Sequence, residues 1–328
     1  MTSQIRVLSK FDRSLNDPTQ TTDPERLPAS GSSDTVSRFH SRGSICRLKH
    51  ESEARSFKLI DSSEWNIASS EPSSEATFFA DGHSAMSIVS VIGAKGIGKS
   101  TLMNKIAGRE VFETYQTSKQ SNNPIKLRHV TRGIDIHSTH HRILLDCQPL
   151  LAVSVLEDFV SGQSSSQFSK SNPASDPTTS SHIISLQLVT FLIATSDYVI
   201  IMSKWLIDVH LLKLISSAIM MIGEDNLRAK FIIYSADKTV HDKNLKHLIE
   251  DCLGMGRIEG YVDNIDKLLD LITPYSSEKC DRYHKDPTTF SGKNWLSSCQ
   301  RLWNTTIRNS SMFSDYALQI LSTSNLNM

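Results

Sequence analysis

An apolar, β-branched run of strand length, Met86 to Ile92, passes directly into Gly93-Ala94-Lys95-Gly96-Ile97-Gly98-Lys99-Ser100. That loop fits G-x-x-x-x-G-K-[ST] without a mismatch. Thr101 to Ala107 then reads as a helix with Leu102, Met103 and Ile106 on its buried side. Strand, glycine loop and helix in that order build a phosphate cradle. Gly93 and Gly98 allow backbone angles that a Cβ forbids, so successive N–H groups converge on one anion. The helix beginning near Lys99 adds its positive dipole end. The expected nucleotide-binding set is therefore Gly93, Ala94, Lys95, Gly96, Ile97, Gly98, Lys99, Ser100 and Thr101. Lys99 brings a point charge to the β- and γ-phosphates, and the Ser100 hydroxyl is a magnesium ligand.

The rest of the chain alternates strands and helices. Ile134-Asp135-Ile136, a turn at Ser138-Thr139-His140, and Arg142 to Leu145 read as a hairpin. Asp146 ends its second strand, where an acid can orient a magnesium-bound water. Thr131, just upstream of Gly133, stands where a switch threonine would join the same ion. Ile183 to Thr195 has helical periodicity, Tyr198 to Met202 is a buried strand, and Trp205 to Ile222 is a long helix, apolar nearly all round. Ala229 to Tyr234 is a further strand with Asp237 just past its end. A helix from about Leu245 to Leu253 and an acidic amphipathic stretch to Ile272 follow. This alternation predicts an α/β fold: a mostly parallel sheet with helices on both faces and ligands at the carboxyl ends of the strands.

Residues 1–55 are Ser-, Thr- and Pro-rich and poor in large apolar side chains, which predicts a disordered tail. Residues 56–328 then form the nucleotide-binding domain, interrupted by a low-complexity insertion at 161–181 and closed by a helical extension at 293–321. Lysine plus arginine equals aspartate plus glutamate, 35 each, which gives no electrostatic reason to expect nucleic-acid binding. Five scattered cysteines without a CxxC point to a reducing, cytoplasmic setting. The charged start is unlike a signal peptide. The stretch from Ile183 to Met202 is broken by Ser185, Gln187, Thr190 and Asp197, which favours a buried helix and strand over a membrane span.

Three departures separate this chain from a fast nucleotide hydrolase. Asp146-Cys147-Gln148-Pro149 puts a proline where a γ-phosphate-sensing glycine would offer its N–H. Leu150 replaces the water-positioning glutamine, and Gln148 is nearby but offset. Tyr234-Ser235-Ala236-Asp237 keeps only the terminal acid of the guanine-selecting Asn-Lys-x-Asp, so Asp237 is the candidate base contact and the purine stays open. The ligand expected is ATP or GTP, or the diphosphate, with Mg2+. A nucleotide-binding module leads. An active switch GTPase with Gln148, or a group in trans, as the hydrolytic aid is the alternative, and a small-molecule kinase ranks last.

Four stretches carry a family resemblance: Phe57 to Asp61 before Trp65, the loop at 93–100, Gly133-Ile134-Asp135 leading to Asp146-Cys147-Gln148-Pro149-Leu150, and Lys293-Asn294-Trp295 through Trp303 to Tyr316. Together they resemble the Smg-nine family of nonsense-mediated mRNA decay factors. The resemblance runs from about residue 57 to the end. It implies a G-domain-like P-loop fold that pairs with a second degenerate G-like domain, the Smg-eight subunit. It further implies association with the Smg-one kinase, a phosphatidylinositol-3-kinase-like enzyme that phosphorylates the Upf-one helicase. It carries over the loop residues and Asp146, and no catalytic residue.

Overall fold

The computed structural model describes residues 56–68, 86–116, 129–139, 141–161, 176–203, 208–223, 227, 229–235, 243–254, 256–272, 284–286, 289–290, 292–309, 311–316 and 318. All of these belong to one unit, Glu51–Met328. The tail, most of the low-complexity insertion, Trp205 and Asp237 lie outside the described residues.

Strands β1 (Phe57–Asp61) and β2 (Asn66–Ile67) come first. The run read as a strand before the glycine loop is β3 (Ser87–Gly93), buried along its whole length, and it leads into α1 (Lys99–Ala107). β4 (Ile134–Ser138) and β5 (Arg142–Cys147) form the expected antiparallel hairpin. Then follow α2 (Val153–Val160), α3 (Pro177–Thr195), β6 (Tyr198–Ser203), α4 (Val209–Ile222) and β7 (Lys230–Ser235). α5 (Lys243–Leu253), β8 (Ile258–Val262), α6 (Ile265–Leu271), the short pair β9 (His284–Asp286) and β10 (Thr289–Phe290), α7 (Gly292–Arg301) and a π-helical stretch, Leu302–Ile307, complete the order.

The main sheet runs β2-β1-β4-β5-β3-β6-β7-β8. β5, β3, β6, β7 and β8 are mutually parallel, while β4 and β1 add an antiparallel flank. Side chains alternate between its faces with the period of two that strands impose. Ile88, Ile92, Val199, Ile201 and Phe231 pack with α3, α4 and the C-terminal helices. Val89, Val91, Ile200 and Ile232 pack with α1 and α6 on the other face. Burial on both faces explains why the central strands read as nearly continuous apolar runs. The result is an α/β fold with a P-loop, the strand–glycine loop–helix unit of β3 and α1, at the centre of a mostly parallel sheet.

Several elements differ from the sequence reading. α3 starts at Pro177, so residues 177–181 are helical and not part of an unstructured insertion. Proline suits a first helical turn because its angle is preset and its missing N–H has no partner to lose. α3 is long and apolar enough to cross a membrane, yet 83% of its apolar window is buried inside the fold. β8 lies within the stretch read only as acidic and amphipathic, without a strand, and pairs in parallel with β7. Phe57–Asp61, which the sequence reading assigns to no element, is a full strand.

The C-terminal helices close the core over the β1–β2 flank. Trp295 and Trp303 are fully buried. The Trp303 ring lies 5.2 Å from that of Trp65 and 5.6 Å from that of Phe191. Gln300 Nε2 donates to the Ala68 carbonyl at 2.7 Å, and Gln187 Nε2 on α3 donates to the Ile307 carbonyl at 3.0 Å.

Candidate nucleotide site

The loop between β3 and α1 is shaped by close approach. Gly93 has φ 150°, and a Cβ there would meet the Met202 carbonyl oxygen at 2.7 Å, so only glycine lets β6 pass. Gly98 takes the N-cap position of α1 with φ 92° and no side-chain cap, which leaves the first helical N–H groups facing the loop.

Lys99 is buried, and its Nζ donates to the carbonyls of Gly93 at 3.2 Å and Ala94 at 3.0 Å. Burial pulls its pKa below the usual lysine range, partly offset by Asp146 and Cys147. Asp146, at the end of β5, sits opposite Val91 of β3 in the parallel register. Its Oδ2 accepts from Ser100 Oγ at 2.7 Å and from Thr131 Oγ1 at 3.0 Å. The two hydroxyls are 3.3 Å apart. Burial raises the Asp146 pKa to about 6, against the downward pull of Ser100, Lys99 and Thr131.

The structure thus brings Ser100, Thr131 and Asp146 together, although 46 residues separate the first from the last. Asp146 Oδ1 is buried without a hydrogen-bond partner. A buried carboxylate with one orphaned oxygen and two hydroxyls around the other is a hard-oxygen donor set, and it fits Mg2+. Magnesium held by these three side chains would neutralise phosphate charge.

A cavity of about 320 Å³ opens beside them, lined by Lys95, Gly96 and Gly98–Thr101 on one side and by Thr131 and Pro149 on another. Gly93 and Ala94 serve the loop through their carbonyls, and Ile97 packs against the apolar core beside α1.

Of two further residues near the site, Gln148 is read from the sequence as a candidate hydrolytic aid, and His129 escapes the sequence reading. Gln148, only 1% exposed, accepts the Gly133 N–H on its Oε1 at 2.7 Å. That oxygen is committed to the backbone. His129 lines the cavity and is held near pKa 4 by burial and by the charges of Arg132, Lys95, Lys99 and Lys58. It is therefore neutral at pH 7, and its approach to Asp158 at 3.7 Å is a dipolar contact rather than an ion pair. No local pattern marks His129 or predicts the partner of Gln148, because each acquires its partner across the fold.

No protein-family model matches the chain. Curated proteins do. The "Nonsense-mediated mRNA decay factor SMG9" of Caenorhabditis elegans is 33% identical over 123 residues, 36% of this chain and 29% of that protein. Its Caenorhabditis briggsae counterpart is 40% identical over 76 residues, 21% of this chain and 19% of that protein. The Salmo salar protein of the same name is 30% identical over 142 residues, 42% of this chain and 27% of that protein. All three of these relatives carry the name SMG9. The chain matches less than a third of the length of each of these three curated relatives. Among solved structures, Era in complex with MgGDPNP and nucleotides 1506-1542 of 16S ribosomal RNA aligns at TM-score 0.32 and 16% identity, over 63% of this chain and 62% of that one.

Proposed function

We propose that this protein is a nonsense-mediated mRNA decay factor that binds a magnesium purine nucleotide as a structural ligand. In this reading it serves as a regulatory scaffold, in the cytoplasm, of the kinase complex that phosphorylates the decay helicase. The observation that carries the proposal is a contrast within one site. Side chains suited to phosphate and magnesium, Lys99, Ser100, Thr131 and Asp146, converge, while the positions needed for hydrolysis hold Pro149 and Leu150. Proline has no N–H for a γ-phosphate oxygen. Leu150 is apolar and buried, and its own N–H donates to the Gly93 carbonyl at 3.3 Å. A nucleotide held there is bound without the means to split it quickly.

The SMG9 relatives support the decay assignment. The partners proposed are the Smg-eight subunit through paired G-like domains, the Smg-one kinase, and through it the Upf-one helicase. Native mass spectrometry of the purified chain, with the co-purifying nucleotide identified, tests the ligand. Capture of the kinase by tagged wild type but weakly by Lys99→Ala tests the scaffold. A chain that carries no nucleotide, or captures no kinase in either form, overturns the respective half.

The second reading, an active switch, draws on Thr131 standing 3.0 Å from Asp146. The engagement of Gln148 with Gly133 counts against it. Single-turnover hydrolysis with and without the partner decides, since turnover in either condition replaces the scaffold reading.

A further inference from the structure

Thr131 supplies one of the three oxygens around the metal position, and its place depends on how the chain beside it is held. Gly133 and Gln148 are joined twice. The Gly133 N–H donates to Gln148 Oε1 at 2.7 Å, and the Gln148 N–H donates to the Gly133 carbonyl at 2.8 Å. Gly133 lies two residues beyond Thr131, and Gln148 two beyond Asp146. The clasp therefore couples the two segments that carry metal oxygens. Gly133 has φ 75°, and a Cβ would meet the Ile60 carbonyl oxygen at 1.9 Å, so the clasp is wedged against β1.

Further contacts hold the same segment. Lys58 Nζ donates to the Arg132 carbonyl at 2.9 Å. Asp158 on α2 faces His129 at 3.7 Å and Arg132 at 3.6 Å. Past Gln148, the Leu150 N–H donates to Gly93 and the Leu151 N–H to Ser185 Oγ at 3.2 Å. Protein groups make every one of these contacts at both ends.

We propose that Gln148 is a positioning residue that holds Thr131 and Asp146 on the magnesium site whatever the number of phosphates, so the protein accepts nucleoside di- and triphosphates without switching between them. The proposal rests on the reading that a nucleotide occupies the cavity. In a switch protein, contacts from the γ-phosphate order the threonine segment. A ligand shifts such an equilibrium only by its difference in affinity for the two arrangements. Here the segment's position is set by Gln148, Lys58 and Asp158, and Pro149 offers the γ-phosphate no N–H. The added phosphate finds little to gain from moving the chain. Burial strengthens the Gln148–Gly133 bonds, and losing one of them would leave a buried N–H unpaired.

The test is titration of the full chain with ADP, ATP, GDP and GTP, each in Mg2+ and in EDTA. For the preferred base, wild type is expected to bind the di- and triphosphate within about threefold of each other. Gln148→Ala is expected to weaken binding in Mg2+ by about tenfold and to leave binding in EDTA within about twofold. Gln148→Glu keeps the acceptor oxygen and is expected to retain the magnesium-dependent affinity. A wild-type preference for triphosphate above about tenfold overturns the proposal. So does an equal loss in Mg2+ and EDTA for Gln148→Ala, or a Gln148→Glu as weak as Gln148→Ala. Should Gln148→Ala fail to fold, the wild-type comparison decides alone, together with amide exchange at residues 131–133. Protection there that rises only with the triphosphate overturns the proposal, and equal protection supports it. Failure of all four nucleotides to bind removes the nucleotide reading itself, a result distinct from binding that discriminates.

Discussion

Ser100 Oγ donates to Asp146 Oδ2 at 2.7 Å, joining the first turn of α1 to the end of β5. The bond exists because β3 and β5 are parallel neighbours, with Val91 level with Asp146. Their carboxyl ends therefore emerge side by side. Thr131 completes the group from the start of the β4 segment. Asp146 is wholly buried, and burial outweighs its hydrogen bonds and Lys99 in setting its proton affinity.

Asp146→Asn should separate metal binding from stability. An acid raised to about 6 in the fold holds its proton more tightly than in the unfolded chain, so its ionisation costs stability as pH rises through the window from about 4 to 6. Asparagine removes that cost. The variant is expected to melt at or above the wild-type temperature in EDTA at pH 7.5, and to lose the gain in nucleotide affinity that Mg2+ confers. Calorimetry and titration with and without Mg2+ check both, and a retained Mg2+ effect refutes the metal assignment.

Lys99→Ala is expected to lower nucleotide affinity by about tenfold to a hundredfold, the worth of a buried charged hydrogen-bonding group. Its Nζ also bridges the Gly93 and Ala94 carbonyls, so the loop loses an internal tie. The ligand-induced rise in melting temperature should shrink accordingly. An unchanged rise would show that phosphate sits elsewhere.

Acid should destabilise the fold through His137. This side chain is fully buried in β4, with the Phe112 ring edge-on at 6.2 Å and Arg109 Nη2 at 3.5 Å. Burial, with Arg109 adding to it, lowers its pKa to about 4. Between about pH 6.5 and 4 the unfolded chain takes a proton that the fold refuses, so stability falls as pH drops through that window. Urea midpoints measured from pH 7 to 4.5 should decline less steeply in His137→Gln. Identical slopes would mean that the ring is not held neutral.

Trp303→Ala should cost about 3–5 kcal/mol, as for other buried aromatic deletions. Its ring fills the space between Trp65 and Phe191. Chemical denaturation gives the figure directly, and a loss below about 1 kcal/mol would place the C-terminal helices outside the cooperative core.

How much was legible in the sequence follows from how local each signal is. Met86 to Ser100 announces strand, loop and helix because its glycines, lysine and apolar run are consecutive. The β4–β5 hairpin is read from its turn and from Asp146. β8 was missed because Ile258-Glu259-Gly260-Tyr261-Val262 is a short strand at the sheet's edge, half-exposed, and its alternation is brief. The helical start at Pro177 was missed because Ser180 and Ser181 look like more of the polar insertion, while tertiary packing buries them.

Residues close in the chain thus announced the phosphate loop and the sheet class, and marked Ser100, Thr131 and Asp146 one by one as oxygens suited to magnesium, which the fold then brought together. Only the folded arrangement decided that Gln148 grips Gly133, that Asp158 faces His129 and Arg132, and that Trp303 roofs Trp65. Each of these pairs is brought together by strand order and helix packing, and no short-range pattern of residue types encodes a contact whose partners meet only when the sheet is assembled.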